Sequence, residues 1–527
     1  MRAAVYDRWW PTSGGGEKFA AGIAEVLSSH AEVCLLAHEP LDLVAMGELL
    51  HLDLSRVGVR EVDIGDEPVS EASADYDLFV NASYTSTAAS RAAHSIYVVH
   101  FPTPPPADPP GWKARAKKVL RPLVEDDGVQ IRMARGFYPQ ERIAGHRAQW
   151  TSGDATVDVF LPPGREEWVT VGFGKFVGEG LPAVVATIEV DGKRALSMAL
   201  RHRDTRFELP VNKMSMPVRG HDDGSPVKLR ITSGVHVPRD AFGTSDDRRL
   251  GVPVTGVQVG SGPRAVVRER YPSLACQPPG LEWIGSYDRV VSNSEYTRGW
   301  VKRWWGLDTA VLNPPVTLHA RKPKEKVILN VGRFFAPEHG HCKKQLDMVR
   351  AMRAMVWRGN CEGWTLHLVG GVSEVDRPYL DKVQREAADL PVELHIGASG
   401  AELADLYGRA SIYWHATGLG EDQLTQPDRF EHFGITTVEA MSAGAVPVVI
   451  RAAGQQEVVE HGVSGLHWEP LVQLVCFTED LVLDGERLRQ MSQAAEAHAR
   501  RYGPDAFAGR LSSLVGSLTE GAEHARS

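Results

Sequence analysis

Two glutamates separated by seven residues sit in the segment Glu431-His-Phe-Gly-Ile-Thr-Thr-Val-Glu439, which runs on into Ala-Met-Ser-Ala-Gly-Ala-Val-Pro-Val-Val. Gly434 supplies a turn, Ile435–Ser442 reads as a helix, and the apolar run that follows reads as a buried strand. That layout puts Glu431 in the loop before the helix and Glu439 about a turn and a half inside it. The N–H groups of a first helical turn have no intrahelical partners and form a ready phosphate site. A ligand with hydroxyls at both ends and negative charge in the middle would suit this arrangement, and a nucleotide sugar has that form.

Other residues able to do chemistry also fall just past apolar runs. Gly14-Gly15-Gly16 precedes a helix beginning at Glu17 and lets backbone approach an anion closely. His100 ends one run; Gly332-Arg333, Gly370-Gly371 and Gly397 end three more. Arg333, Lys343 and Lys344 can bring fixed positive charge to a leaving diphosphate. Taken singly, each has a blander explanation: a flexible glycine loop, a satisfied strand-end histidine, solvated lysines. Recurrence at strand ends outweighs any one of them, because open α/β sheets bind ligands outside the carboxyl ends of their strands.

The elements that must hold these residues divide the chain into three textures. In residues 1–135, strands are expected at Arg2–Tyr6, Glu32–Ala37, Leu78–Ala82 and Ile96–Phe101, with helices at Glu17–Ser28 and Leu41–Leu50. From about Gln149 to Val259 the pattern becomes period-two, with segments such as Ala155–Leu161, Trp168–Phe173, Arg206–Leu209 and Val227–Thr232, and a hairpin signal at Asp191-Gly192. From residue 281 strand–helix alternation returns, implying parallel sheets covered on both faces. The expected fold class is therefore α/β interrupted by an inserted antiparallel β-sandwich. Domain boundaries are expected at 1–135, 136–262, 263–315, 316–503 and a C-terminal helix at 504–527 that could cross back to the first domain.

A chain of 527 residues is too long for one core. Its net charge of −9 argues against a nucleic-acid partner. Five scattered cysteines without C-x-x-C argue against a disulfide framework or a structural zinc site and fit a cytoplasmic location. The start at Met1-Arg-Ala-Ala-Val lacks the apolar core of a signal peptide, and no run has the length of a transmembrane helix.

The pattern resembles glycosyltransferase family 4, retaining enzymes built of two facing Rossmann-like domains (GT-B). The resemblance rests on Ser13-Gly-Gly-Gly-Glu17, Val98-Val-His-Phe-Pro102, Val291-Ser-Asn-Ser-Glu-Tyr-Thr297, Leu312-Asn-Pro-Pro-Val316, Val331-Gly-Arg-Phe-Phe335 and Glu431 through Pro447. Within the family it is most similar to mannosyltransferases of lipid-linked oligosaccharides and bacterial polysaccharides. It implies that Glu431 contacts donor-sugar hydroxyls, Glu439 the ribose hydroxyls, and Phe433, Gly434 and Ile435 the sugar and phosphate through backbone groups. It also implies amides of Thr436 and Thr437 near the diphosphate, and Gly332 and Gly371 among the donor-binding loops. Arg333 and Lys343 would neutralise the diphosphate in place of a metal, and His100 would face the sugar from the opposite domain. Gly14, Gly15 and Gly16 would leave room for diphosphate and acceptor.

No cofactor is implied beyond a GDP- or UDP-linked sugar as co-substrate. Mannose is the sugar suggested by family likeness alone, and the acceptor would be a glycan or lipid-linked glycan. Two departures stand out: a long Arg333–Lys343 segment, which leaves Lys344 open as the diphosphate lysine, and Ala453-Gly-Gln-Gln-Glu457 in place of a double glycine.

The insert resembles β-sandwich modules of bacterial polysaccharide transferases. Exposed Trp150 or Trp168 could bind glycan; a structural or oligomerising role with core tryptophans is the commoner case. A basic stretch around Trp112 (Lys113, Arg115, Lys117, Lys118, Arg121) could lie on the inner face of a membrane, although a solvated helix face explains most such runs. Two rival functions are a glycoside phosphorylase of the same architecture and a glycan-binding protein on an inactive transferase scaffold. Ribose-facing Glu439 speaks against the first, and the intact set of Arg333, Lys343, Glu431 and Glu439 against the second.

Overall fold

The computed structural model describes residues 1–12, 14–103, 129–138, 141–143, 146–174, 184–200, 212–239, 248–260 and 281–524. The basic stretch at 112–123, the strand expected at Arg206–Leu209 and Ser13 lie outside them.

Apolar runs with no polar alternation demand burial on both faces, and the two outer parts of the chain meet that demand with parallel sheets. The first sheet holds β1 (Arg2–Tyr6), β2 (Glu32–Ala37), β3 (Val57–Glu61), β4 (Leu78–Asn81) and β5 (His94–Val99). The intervening insert comprises β6 (Gln130–Phe137), β7 (Glu141–Ile143), β8 (His146–Phe160), β9 (Glu166–Phe173), β10 (Val184–Val190), β11 (Lys193–Leu200), β12 (Asn212–Arg219), β13 (Val227–Ser233) and β14 (Pro253–Val259). The first sheet then resumes with β15 (Arg289–Ser292) and β16 (Ala310–Val311), giving the order β16-β15-β5-β4-β1-β2-β3.

The last sheet contains β17 (Glu325–Val331), β18 (Thr365–Gly370), β19 (Val392–Ile396), β20 (Ala410–His415), β21 (Val446–Ile450) and β22 (Leu466–Trp468), ordered β19-β18-β17-β20-β21-β22. Both parallel sheets are thus doubly wound, and their strand order reverses beside β1 and β17. A crevice opens at such a reversal. The glycines at 14–16, which cap and open the helix Gly15–Ser28, follow β1, and Gly332-Arg333 follows β17, so each motif stands at its own sheet's switch point.

The insert is antiparallel and starts at Gln130, ahead of the expected boundary at 136. Its strands alternate buried and exposed residues, most clearly in β12 and β13. β8 pairs early with β14, at Gln149 and Trp150, and later with β13, from Asp154 to Val159. Gly153, at φ +96°, lies where it passes from one pairing to the other, a conformation that favours glycine. Val157, Val171, Phe173, Ile188, Met214 and Leu229 from both sets of strands share one core. Neither Trp150 nor Trp168 belongs to it; Trp168 is 54% exposed and Trp150 packs edge-on to His236.

The C-terminal helix Pro504–His524 packs back on the first domain, where Phe507 meets Phe19 at 5.9 Å between ring centroids. Among the described residues no helix is long and apolar enough to cross a membrane.

Candidate active site

A cleft of about 1300 Å³ lies between the two α/β domains. Of the residues singled out in the sequence, Gly14, Gly15, Gly332, Arg333, Lys343, Gly371, Glu431, Ile435, Thr436 and Glu439 line it. His100, Gly16, Phe433, Gly434 and Thr437 are not on its walls.

The reasons are local. Gly434, at φ +106°, turns the chain into the helix Ile435–Ser442, and its carbonyl accepts from the N–H of Thr437 (3.1 Å) and Val438 (3.2 Å). The Thr437 amide is therefore already engaged, and its buried hydroxyl donates to Gln455 Oε1 at 3.0 Å. The amides of Ile435 and Thr436 have no partner among the described residues. Phe433 is buried against Tyr502 and supports the turn from behind.

His100 lies off the cleft lining, its Nε2–H donating to the Ala82 carbonyl at 2.6 Å. Burial holds the ring below its ordinary pKa. Gly16 packs against this imidazole.

Glu431 accepts from Lys343 Nζ at 2.7 Å and from His415 Nε2 at 3.3 Å. Burial pushes its carboxyl up, but the Lys343 charge and the His415 bond overcome this and hold it well below the usual carboxylate range. Lys344 points elsewhere, pairing with Glu421 at 2.7 Å. The geometry thus separates the two lysines: Lys343 lines the cleft and Lys344 is not among its lining residues.

Arg333 is exposed in the cleft over the Phe335 ring, 4.7 Å from its centroid, with no carboxylate at ion-pair distance among the described residues. Gln345 fixes its loop by donating to the carbonyls of Gly332 and Arg333, both at 3.1 Å.

Glu439 shows what sequence reading missed. One carboxylate oxygen accepts from Tyr407 at 2.9 Å; the other accepts, also at 2.9 Å, from Lys18, on the helix Gly15–Ser28 of the first domain. Lys18 also donates to Thr317 at 2.7 Å. One lysine on an amphipathic helix reads as surface charge, although it adjoins the glycine motif. Two further contacts bridge the domains. Phe101 stacks on His432 at 4.2 Å, and the Glu457 carboxylate accepts the amides of Glu295 (2.8 Å) and Tyr296 (2.5 Å).

Burial pushes the Glu457 carboxyl up from an ordinary 4.5 to about 7 despite those two bonds. Because the folded-state value lies above the unfolded one, its stabilising contribution is fully present below about pH 4.5 and is lost as pH rises through about 7. A Glu457→Gln variant should consequently lose less stability than the parent between pH 5 and 8, by up to roughly 3 kcal/mol. Urea melts of both proteins across that range check this; parallel pH profiles would refute it.

Comparison with known proteins bears on what this cleft belongs to. Residues 318–498 match the family model described as "Glycosyl transferases group 1". The matched segment holds Arg333, Lys343, Glu431 and Glu439.

Among curated relatives, a GDP-Man:Man(3)GlcNAc(2)-PP-Dol alpha-1,2-mannosyltransferase of Dictyostelium discoideum is 25% identical over 45% of this chain and 48% of its own length. A D-inositol 3-phosphate glycosyltransferase of Segniliparus rotundus is 27% identical over 45% of this chain and 54% of its own. The chain therefore spans about half the length of these curated relatives. Anabaena Alr3699/HepE, solved with UDP and glucose, superposes with a TM-score of 0.51 at 13% identity, over 98% of this chain and all of that one. This likeness shows the fold: two Rossmann-like domains facing across a cleft, as in GT-B proteins, with the antiparallel insert added between the halves of the first.

Proposed function

We propose that this chain is a retaining, metal-independent glycosyltransferase that moves a hexose from a nucleotide-diphosphate sugar to a glycan or lipid-linked glycan. The observation that carries the reading is convergence on one side of the cleft: Arg333, Lys343, the unpartnered amides of Ile435 and Thr436, and the carboxylates Glu431 and Glu439. In this reading residues 316–503 bind the donor, while the first domain faces the acceptor across it. The inserted module takes in β6 to β14, and the helix Pro504–His524 straps the first domain.

The chemistry follows from charge. When the bond between the anomeric carbon and the diphosphate oxygen breaks, negative charge grows on that oxygen. Arg333, Lys343 and the helix-start amides are fixed donors aimed at where it develops. The acceptor hydroxyl bonds to the anomeric carbon on the face the leaving group vacates, and its proton passes to the departing diphosphate oxygen. Glu431 is tied to Lys343 and His415, which suits it to accept hydrogen bonds from sugar hydroxyls rather than to attack carbon. Ribose hydroxyls would donate to Glu439 beside Lys18.

The mannosyltransferase relative supports GDP-mannose as donor. A lipid-linked acceptor would place the protein at the cytoplasmic face of a membrane, in peripheral contact. Thermal melts with GDP, UDP and ADP test the reading: a cognate nucleotide at a hundred times its Kd should add about 2.7 kcal/mol of stability and raise Tm with concentration. No rise with any of the three, or with their sugars, would refute it.

A further inference from the structure

The insert is not held away from the cleft. Its first strand docks on the first domain: the Gly136 N–H donates to the Ile64 carbonyl at 2.5 Å, and Arg135 pairs with Asp63 (3.3 Å) and Glu71 (3.4 Å). Gly65 adds close contact, since a Cβ there would stand 2.9 Å from the Ala134 carbonyl. Two residues past this junction, Tyr138 reaches the cleft wall, joined by Arg248 and Arg249 from the segment before β14.

These three residues form one unit. The Tyr138 N–H donates to the Trp150 carbonyl at 2.9 Å, and its hydroxyl donates to the Arg249 carbonyl at 3.3 Å. The Arg248 guanidinium lies 5.3 Å from the Tyr138 ring centroid and 3.4 Å from Glu141. Arg249 is exposed, and its guanidinium makes no ion pair among the described residues.

The same cleft is lined from the first domain by Arg8, paired with Asp66 at 3.0 Å, and by Trp9. Arg8 Nε and Trp9 Nε1 are both buried without a hydrogen-bond partner. Buried N–H donors left unpaired are costly, and a ligand is one way to satisfy them. The aromatic faces of Tyr138 and Trp9 suit a sugar ring. Arg8 Nε, Trp9 Nε1 and the Arg249 guanidinium are donors, so they call for a ligand rich in acceptor oxygens and carrying negative charge, while Glu39, Glu61 and Asp63 line the same cleft.

We propose that the inserted β-module completes the acceptor half of the cleft, with Tyr138, Arg248 and Arg249 acting alongside Arg8 and Trp9 to hold an acidic glycan. The negative charge is a uronate carboxylate or a phosphate on the glycan; both present the same anionic oxygens to a guanidinium. The inference rests on the transferase reading, and its test is built to separate the two.

Full-length parent, Tyr138→Ala, Arg249→Ala and Arg249→Lys proteins are given a nucleotide sugar and three oligosaccharide acceptors of equal length: neutral, uronate-bearing and phosphate-bearing. The parent should use one acidic acceptor at a KM at least ten-fold below that of the neutral one. Arg249→Ala should raise that KM about ten-fold while donor KM moves less than two-fold, and Arg249→Lys should restore part of it. Tyr138→Ala should raise KM for all three acceptors. Whichever acidic acceptor is preferred identifies the source of charge.

Equal KM values for neutral and acidic acceptors, or an acceptor KM insensitive to Arg249→Ala, would overturn the proposal. If the parent turns over no nucleotide sugar, the transferase reading falls. Calorimetric titration with the same glycans then decides: binding of an acidic glycan that Arg249→Ala weakens upholds the wall, and no binding overturns it.

Discussion

Replacing Arg333 by alanine should slow sugar transfer by two to three orders of magnitude while leaving the fold intact. The guanidinium stands exposed in the cleft over Phe335, without a carboxylate at ion-pair distance among the described residues. Its loop is held through backbone carbonyls by Gln345, so the side chain can go without disturbing the turn. A charge-assisted hydrogen bond is worth roughly 1.5–3 kcal/mol, about ten- to a hundred-fold in rate, and more where water is excluded from the developing charge. The loss should fall on kcat, because the charge on the leaving oxygen peaks in the transition state. Arg333→Lys should recover part of it. Initial rates and melting curves check the outcome; unaltered turnover in the alanine variant would remove Arg333 from the leaving-group role.

Glu431→Gln should lower kcat/KM by a hundred-fold or more, for two coupled reasons. The substitution removes the anionic acceptor offered to sugar hydroxyls, and it leaves the partly buried Lys343 ammonium without its partner at 2.7 Å. Some stability should go with it. A cycle with Lys343→Met separates these effects: coupling above about 1 kcal/mol in stability is expected for two groups in direct contact. Strict additivity would mean that the pair is incidental.

The pH dependence of the pair follows from its sign. Glu431 is depressed below its ordinary 4.5, so the stabilisation it contributes is present above that value. It is lost only as pH falls through the depressed value. Activity between pH 6 and 8 should not titrate with this group.

Much of the site was legible because its signals are local. The Glu431–Glu439 spacing, the glycine after β1 and the arginine after β17 each depend on a strand, a turn and a helix within about fifteen residues. Such patterns survive in one dimension: an apolar run must be buried, a glycine permits the turn, and a helix start leaves amides free. The choice between Lys343 and Lys344 was not legible, because neighbouring lysines differ only in which way each is aimed. The structure aims one at Glu431 and the other at Glu421. Likewise no spacing announces that the His100 donor is taken by Ala82, or that the Thr437 amide is taken by Gly434.

By itself, then, the chain's order of residues determined two α/β halves around an antiparallel insert, and a helix start with free amides flanked by two acids. These follow from periodicity and turn chemistry, which act between near neighbours. Only the tertiary structure decided which distant groups meet: Lys18 against Glu439, Glu457 against the helix at Glu295, and Tyr138 with Arg248 and Arg249 on the same cleft lining as Arg8 and Trp9. Those encounters are set by where each sheet reverses its strand order and by how the insert docks at Gly136. Both depend on packing between segments far apart in sequence, for which no local pattern exists.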